Sequence, residues 1–204
     1  MTESPAAYLP MDRRQALAHG ATLPDRTRGA ALFADISGFT PLTEALVREL
    51  GPRRGADELT RQLNHVYDAL IAEVHRYRGS VITFSGDAIT CWLDGDDGRR
   101  AAACALAMQR AMAQFEHVET PAGVTVSLAM KAAVTTGSVR RFLIGAPDIQ
   151  RMDVLAGATL DRMAEAEHHA MRGEVVIGPE AFFHLTDIAL VRSARTDPDT
   201  GRTF

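Results

Sequence analysis

The chain has almost no cysteine: Cys91 and Cys104 are the only two in 204 residues. That excludes a disulfide scaffold. Both fall in element-like stretches, so buried free thiols in a reducing cytoplasm are expected. No apolar run reaches the roughly 18 residues of a membrane-spanning helix, and the N-terminus reads as carrying no basic-then-apolar leader. Positive charge is not in excess. Lys and Arg number 22 against 26 Asp and Glu, for a net charge of −4, and no basic block stands out, which argues against a nucleic-acid partner. Trp92 is the single tryptophan. What remains is the composition of a soluble globular domain, 46% apolar and 24% charged, in a length that supports one full core.

Periodicity divides the chain. Residues 1–28 are rich in Pro, Arg and Asp without a sustained pattern and read as an N-terminal arm. A domain over 29–192 and a tail over 193–204 follow. A strand over 30–36 leads into a helix over 40–50, broken by Gly51, Pro52 and Gly55. A helix over 57–77 carries Leu59, Leu63, Val66, Leu70, Ile71 and Val74 on one face. Residues 80–84 and 88–93 form a hairpin around Gly86 and Asp87, and a third helix runs to Phe115. Strict alternation over 124–134 predicts a strand, with 138–145 as its hairpin partner. A helix over 158–168, a strand over 174–177, a short helix from Pro179 and a last strand over 188–191 complete the reading. This order predicts an α+β fold of ferredoxin-like, split βαβ type: a mostly antiparallel sheet with helices on one face.

Two aspartates carry the chemistry. Asp35 ends the apolar run of Ala-Leu-Phe-Ala-Asp-Ile-Ser-Gly-Phe-Thr, and Asp87 sits in Val-Ile-Thr-Phe-Ser-Gly-Asp-Ala-Ile-Thr. Singly, each is explained as a helix cap or a turn residue. Together they point elsewhere. If the first strand lies beside the hairpin, two hard carboxylates meet at one end of the sheet. There a glycine turn into a helix converges backbone N–H groups on an anion. Such a pair can hold two divalent cations on a nucleoside triphosphate.

Asp-Ile-Ser-Gly-Phe-Thr followed about fifty residues on by Phe-Ser-Gly-Asp-Ala closely resembles the class III nucleotidyl cyclase homology domain, over roughly residues 28–192. The nearest likeness is to the first half of tandem, soluble-type adenylyl cyclases. The resemblance implies two Mg²⁺ or Mn²⁺ ions held by Asp35, Asp87 and the backbone carbonyl of Ile36. It implies a triphosphate cradled by Ser37, Gly38, Phe39 and Thr40, with Lys131 on a terminal phosphate and Asp153 against the base. ATP is the implied substrate, with GTP an open alternative. The implied partner is a second cyclase-homology domain, as a homodimer or heterodimer.

Three positions depart from the pattern. The family's base-selecting lysine falls on Thr83, and its transition-state Asn and Arg fall on Leu160 and Ala164. Neither of the latter two can hydrogen-bond ribose or stabilise developing phosphate charge. Arg162 lies two residues off register, about half a helical turn away. The chain therefore reads as the metal-binding half of a cyclase that needs a complementary half. The alternative is a catalytically silent cyclase-homology domain that dimerises or binds nucleotide. A phosphatase with an aspartyl nucleophile would want a second acid where Ser37 stands. Bicarbonate sensing is disfavoured because its Lys and Arg positions are Thr83 and Ala164.

Overall fold

A computed structural model describes residues 9–146 and 148–204. Its elements in chain order are α1 (Met11–Ala18), β1 (Arg26–Ser37), α2 (Phe39–Leu50), α3 (Pro52–Arg76), β2 (Ser80–Ser85) and β3 (Ala88–Asp94). They continue with α4 (Arg99–Met112), β4 (Val118–Glu119), β5 (Thr125–Val126), β6 (Ala129–Ile144), β7 (Met152–Ala156), α5 (Ala158–His168), β8 (Val175–Ile177) and α6 (Pro179–Phe182). The main sheet runs β2-β3-β1-β6-β7, with β8 added beside β6. Every pairing in it is antiparallel except β6 with β8. The α+β, mostly antiparallel expectation holds.

β1 is central because its sequence is apolar on both faces. Ala30, Leu32, Ala34 and Ile36 are fully buried against Leu42 and Leu46 of α2, Val66, Leu70 and Val74 of α3, and Cys104, Ala105 and Met108 of α4. The alternate residues Ala31 and Phe33 join Trp92, Val139, Leu155, Met163 and Leu160 on the other face. Helices α2, α3 and α4 thus cover one face, as expected, while α5 lies against the opposite one. Ile82 of β2 and Leu155 of β7 share that second cluster with Trp92. The two edge strands therefore curl toward each other, as a twisted sheet allows.

Two glycines set the close approaches. A Cβ on Gly55 would lie 2.9 Å from the Leu46 carbonyl, so glycine lets α3 pack tightly on α2. A Cβ on Gly137 would lie 2.4 Å from Thr159 Oγ1 and 2.5 Å from an Arg162 nitrogen. This explains one correction. The expected hairpin between 124–134 and 138–145 is instead a single strand, β6, paired with β1 without interruption from Ala129 opposite Ser37 to Arg140 opposite Arg26. Gly137 marks the seat of a helix, not a turn. The hairpin partner of β6 is β7.

Two further expectations fail. Residues 188–191 form no strand, and Ile188, Leu190 and Val191 are exposed. Within the expected arm, residues 1–8 lie outside the described residues, residues 11–18 form α1, and β1 already begins at Arg26. In the tail, Arg195 and Phe204 pair backbone to backbone at 2.8 Å, and Phe204 stacks on His169.

Arg195 also forks onto Glu174, with both N–H···O distances 2.7 Å. The guanidinium and the Met171 backbone N–H hold the Glu174 carboxyl down at about 2, against an ordinary value of 4.5. A depressed carboxyl contributes stability that is complete above the unfolded value and is lost as pH falls toward the folded one. The tail contact should therefore be whole at neutral pH and loosen on acidification from about 4.5 toward about 2. Glu174→Gln should reproduce the loss at pH 7, read as faster amide exchange at Arg195 and Phe204 with the core amides unchanged.

Candidate functional site

Asp35 is the penultimate but one residue of β1, paired with Ala88 on β3 and with Lys131 on β6. The Ile36 N–H donates to the Asp87 carbonyl at 3.2 Å, so the β2–β3 turn is tied to the end of β1. The Tyr67 hydroxyl of α3 donates to the Gly86 carbonyl at 3.1 Å, and its ring meets Phe84 edge to face at 5.3 Å. Asp87 is close enough for its charge to act on Asp35. Burial and then the Asp87 charge raise the Asp35 carboxyl above the usual range, while Lys131 pulls it back down. The same two carboxylates, after burial, raise the Tyr67 hydroxyl.

The turn that follows is shaped by one residue. Gly38 has φ 107°, a left-handed conformation, and a Cβ there would lie 2.5 Å from the Ser127 carbonyl and 2.9 Å from Leu128. Phe39 is buried and anchors the start of α2, while Ser37 and Thr40 are exposed beside it. The Ser37 hydroxyl donates to the Ala129 carbonyl at 3.3 Å. No side chain caps α2, so its first N–H groups remain open to an anion.

Lys131 lies across from Asp35, with Nζ 3.5 Å from its carboxylate, and is bonded more closely to Glu167 of α5. Those bonds, Glu167's first, outweigh burial and raise the lysine's pKa, so it stays charged. Asp35, Ile36, Ser37, Gly38, Phe39, Thr40, Asp87 and Lys131 thus gather at one end of the sheet.

Asp153 does not join them. It lies on β7 opposite Leu143 of β6, twelve positions along that strand from Lys131, on the order of 40 Å of extended chain. There its carboxylate is buried, with Arg13 forked onto it and Arg141 beside it. Thr83 is exposed on β2, donating only to the Phe84 carbonyl at 3.3 Å. Leu160 packs against the Trp92 cluster. Arg162 is spent internally, donating to the Thr136 carbonyl at 3.1 Å and Thr159 Oγ1 at 3.2 Å, with Nε 3.1 Å from Glu180.

The donor set suits a hard divalent cation brought with a nucleotide. Among the described residues no three His, Cys, Asp or Glu side chains group as a metal cage. Two adjacent carboxylates and a nearby backbone carbonyl leave the remaining positions to phosphate oxygens and water, the usual way Mg²⁺ is held.

The family profile described as the adenylate and guanylate cyclase catalytic domain matches residues 27–198. The chain belongs to this class III cyclase family. It is 23% identical over 198 residues to adenylate cyclase type 10 of Rattus norvegicus and 24% identical over 194 residues to that of Homo sapiens. These alignments cover 93% and 91% of the chain but only 12% of either relative's length. Among solved structures, guanylyl cyclase Cya2 superposes with a TM-score of 0.72 at 24% identity, covering 87% of this chain and 88% of that one. The adenylyl cyclase CyaB from P. aeruginosa gives 0.69 at 21% identity, covering 87% and 91%. At these identities the structural likeness establishes the cyclase fold. No helix among the described residues is long and apolar enough to cross a membrane.

Sequence reasoning missed four groups: Glu167 and Tyr67 beside Asp35 and Asp87, and, at the other end of β6, the Arg13 and Arg141 that enclose Asp153. None carries a local motif, because each acts on a residue remote in the chain. The Gly38 turn gives a direct test. Gly38→Ala should cost about 2 kcal/mol or more, since it combines backbone strain with a clash on a carbonyl. Gly86→Ala, at φ 63° with open space around it, should cost only about 1–2 kcal/mol of left-handed strain. Urea midpoints of the two variants against the parent check the order.

Proposed function

We propose that this chain is the metal-binding half of a class III adenylyl cyclase, converting ATP to cyclic AMP and pyrophosphate when paired with a complementary half. One observation carries the reading. The two mutually repelling carboxylates, the uncapped glycine turn and a charged lysine share one end of the sheet, while the positions for base selection and transition-state support hold Thr83, Leu160 and Ala164.

Asp35, Asp87 and the Ile36 carbonyl are the groups that would hold two divalent cations, Mg²⁺ or Mn²⁺. When bound, the cations would supply a lowered pKa at the ribose 3′-hydroxyl and neutralisation of the phosphates. The chain's own residues do the rest. The open N–H groups after Gly38 donate to phosphate oxygens, and the buried Phe39 keeps that turn fixed. Lys131, already turned toward Asp35, meets the charge of the β- or γ-phosphate. Tyr67 braces the loop that bears Asp87. The ribose 3′-hydroxyl gives its proton to water, and its oxygen bonds to the α-phosphorus as the bond from that phosphorus to the bridging oxygen breaks and pyrophosphate leaves.

Pairing is supported by the β6–β7 arm, where Phe142, Leu143, Ile144, Ile149 and Met152 are exposed. Apolar side chains gathered on one projection mark an association surface. The separation of Asp153 from Asp35 along β6 fits a site assembled from two chains. The choice of ATP over GTP rests on the adenylyl relatives. A second reading, a catalytically silent regulatory domain, is favoured by the internal ties of Arg162, which leave no arginine near the position of Ala164 free to act.

Calorimetry should detect Mn²⁺ binding that depends on ATP and is greatly reduced in Asp35→Ala and in Asp87→Ala. Parent-like binding in both variants would remove the site assignment. Cyclic AMP formation by the chain alone should be nearly absent, since each missing preorganised donor costs about 10²–10³ in turnover. Mixing with a cyclase half bearing the Lys, Asn and Arg should restore it. Robust turnover by the chain alone would overturn the half-site reading.

A further inference from the structure

Helix α1 is an unusual piece of this molecule. It lies outside the stretch matched by the cyclase profile, which begins at residue 27. Its eight residues bury only Ala16, and Leu17 is exposed. An isolated helix below about 12–15 residues is marginal in water, and no apolar stripe holds this one down. Charge and hydrogen bonding hold it instead.

Those contacts converge on one place. The Asp12 backbone N–H donates to Ser80 Oγ on β2 at 2.9 Å, and the Asp12 carboxylate accepts from Arg141 on β6. Arg13 donates to both oxygens of Asp153 on β7, from Nε at 3.0 Å and from a terminal nitrogen at 2.7 Å. Arg141 adds a third donor to Asp153 at 3.3 Å. The Asp153 side chain is 1% exposed and that of Arg141 4%. α1 thus spans the cleft where the two edge strands curl together and seals the acid beneath it.

We infer that α1 is an intramolecular plug: while docked, its Arg13 guanidinium withholds both oxygens of Asp153 from a nucleotide base presented by a second copy of the chain. This rests on the cyclase-half reading, in which Asp153 belongs to the site completed by a partner. Arg13 does not substitute for the lysine missing at Thr83: its fork and Arg141 take three of the carboxylate's roughly four lone-pair sites, and the side chain is 1% exposed while α1 is docked, so a base amine has no access to it. The plug is also removable. With α1 gone, Asp153 and Arg141 still face each other as a neutral pair, so no buried charge is stranded. Once undocked, α1 is too short to persist as a helix.

The test compares Mn²⁺–ATP with Mn²⁺–tripolyphosphate binding to the full chain, as parent, Arg13→Ala and Arg13→Lys, with amide exchange followed over residues 11–18. Tripolyphosphate has phosphates but no base, so it reports the Asp35 end alone. Arg13→Ala should speed exchange in α1 and tighten ATP binding about tenfold, as removal of a competing closed state does, and leave tripolyphosphate unchanged. Arg13→Lys, which keeps the charge but loses the fork, should fall between. Unchanged or weaker ATP binding with tripolyphosphate intact would overturn the plug alone. An equal change for both ligands would also overturn it, by placing the effect at the phosphate end. Failure of every form to bind tripolyphosphate would sink the two-carboxylate reading and the plug with it.

Discussion

Strand β1 is hydrogen-bonded along both edges and buried on both faces, and it carries Asp35 two residues before its end. That placement governs the site. A strand fixed by β3 and β6 cannot slip, because a shift of one residue would turn Leu32 and Ile36 out of the helix-covered core. Asp35 is therefore held beside Asp87, and the Ile36 N–H to Asp87 carbonyl bond closes the distance further. Burial first, and then repulsion from Asp87, raise the pKa of Asp35. The core stabilises an arrangement that the charges oppose.

Lys131 balances this conflict. It faces Asp35 from the neighbouring strand and is steadied by Glu167 from α5. An ammonium shared between two carboxylates keeps the site from carrying three uncompensated negative charges. On the proposed reading, a cation brought with a nucleotide would take over the neutralisation of Asp35 and leave the lysine facing the phosphates. The other end of β6 follows a different logic. There Arg13, Asp153, Arg141 and Asp12 alternate in sign and leave no net charge in the cleft.

Much of the Asp35 end of the sheet was legible in the sequence, for a physical reason. A strand buried on both faces must be an apolar run, so an aspartate terminating that run before a glycine is conspicuous. The Gly86–Asp87 turn between two β-rich segments is visible in the same way. β6 was misread because Gly137 looks like a turn residue, whereas the structure uses it to admit α5. The helix α1 was invisible because periodicity reports apolar stripes and this helix is held by ion pairs. Glu167 was invisible because its partner lies thirty-six residues away and is brought close only by packing α5 on the second face. The burial of Asp153 likewise depends on Arg13, distant by nearly the whole domain.

The notch at Gly137 has a mechanical consequence. Thr159 and Arg162 sit where a Cβ would be, and the Thr159 hydroxyl donates to the Ser138 carbonyl at 2.8 Å. α5 is thereby pegged to β6 and cannot glide along it without riding up over Thr136 or Ser138. Glu167, one and a half turns farther along the same helix from Arg162, shares that restriction. It can let go of Lys131 by turning its own side chain but not by translation of the helix. The lysine's release is thus a local rotameric event and requires no rearrangement of the fold around it.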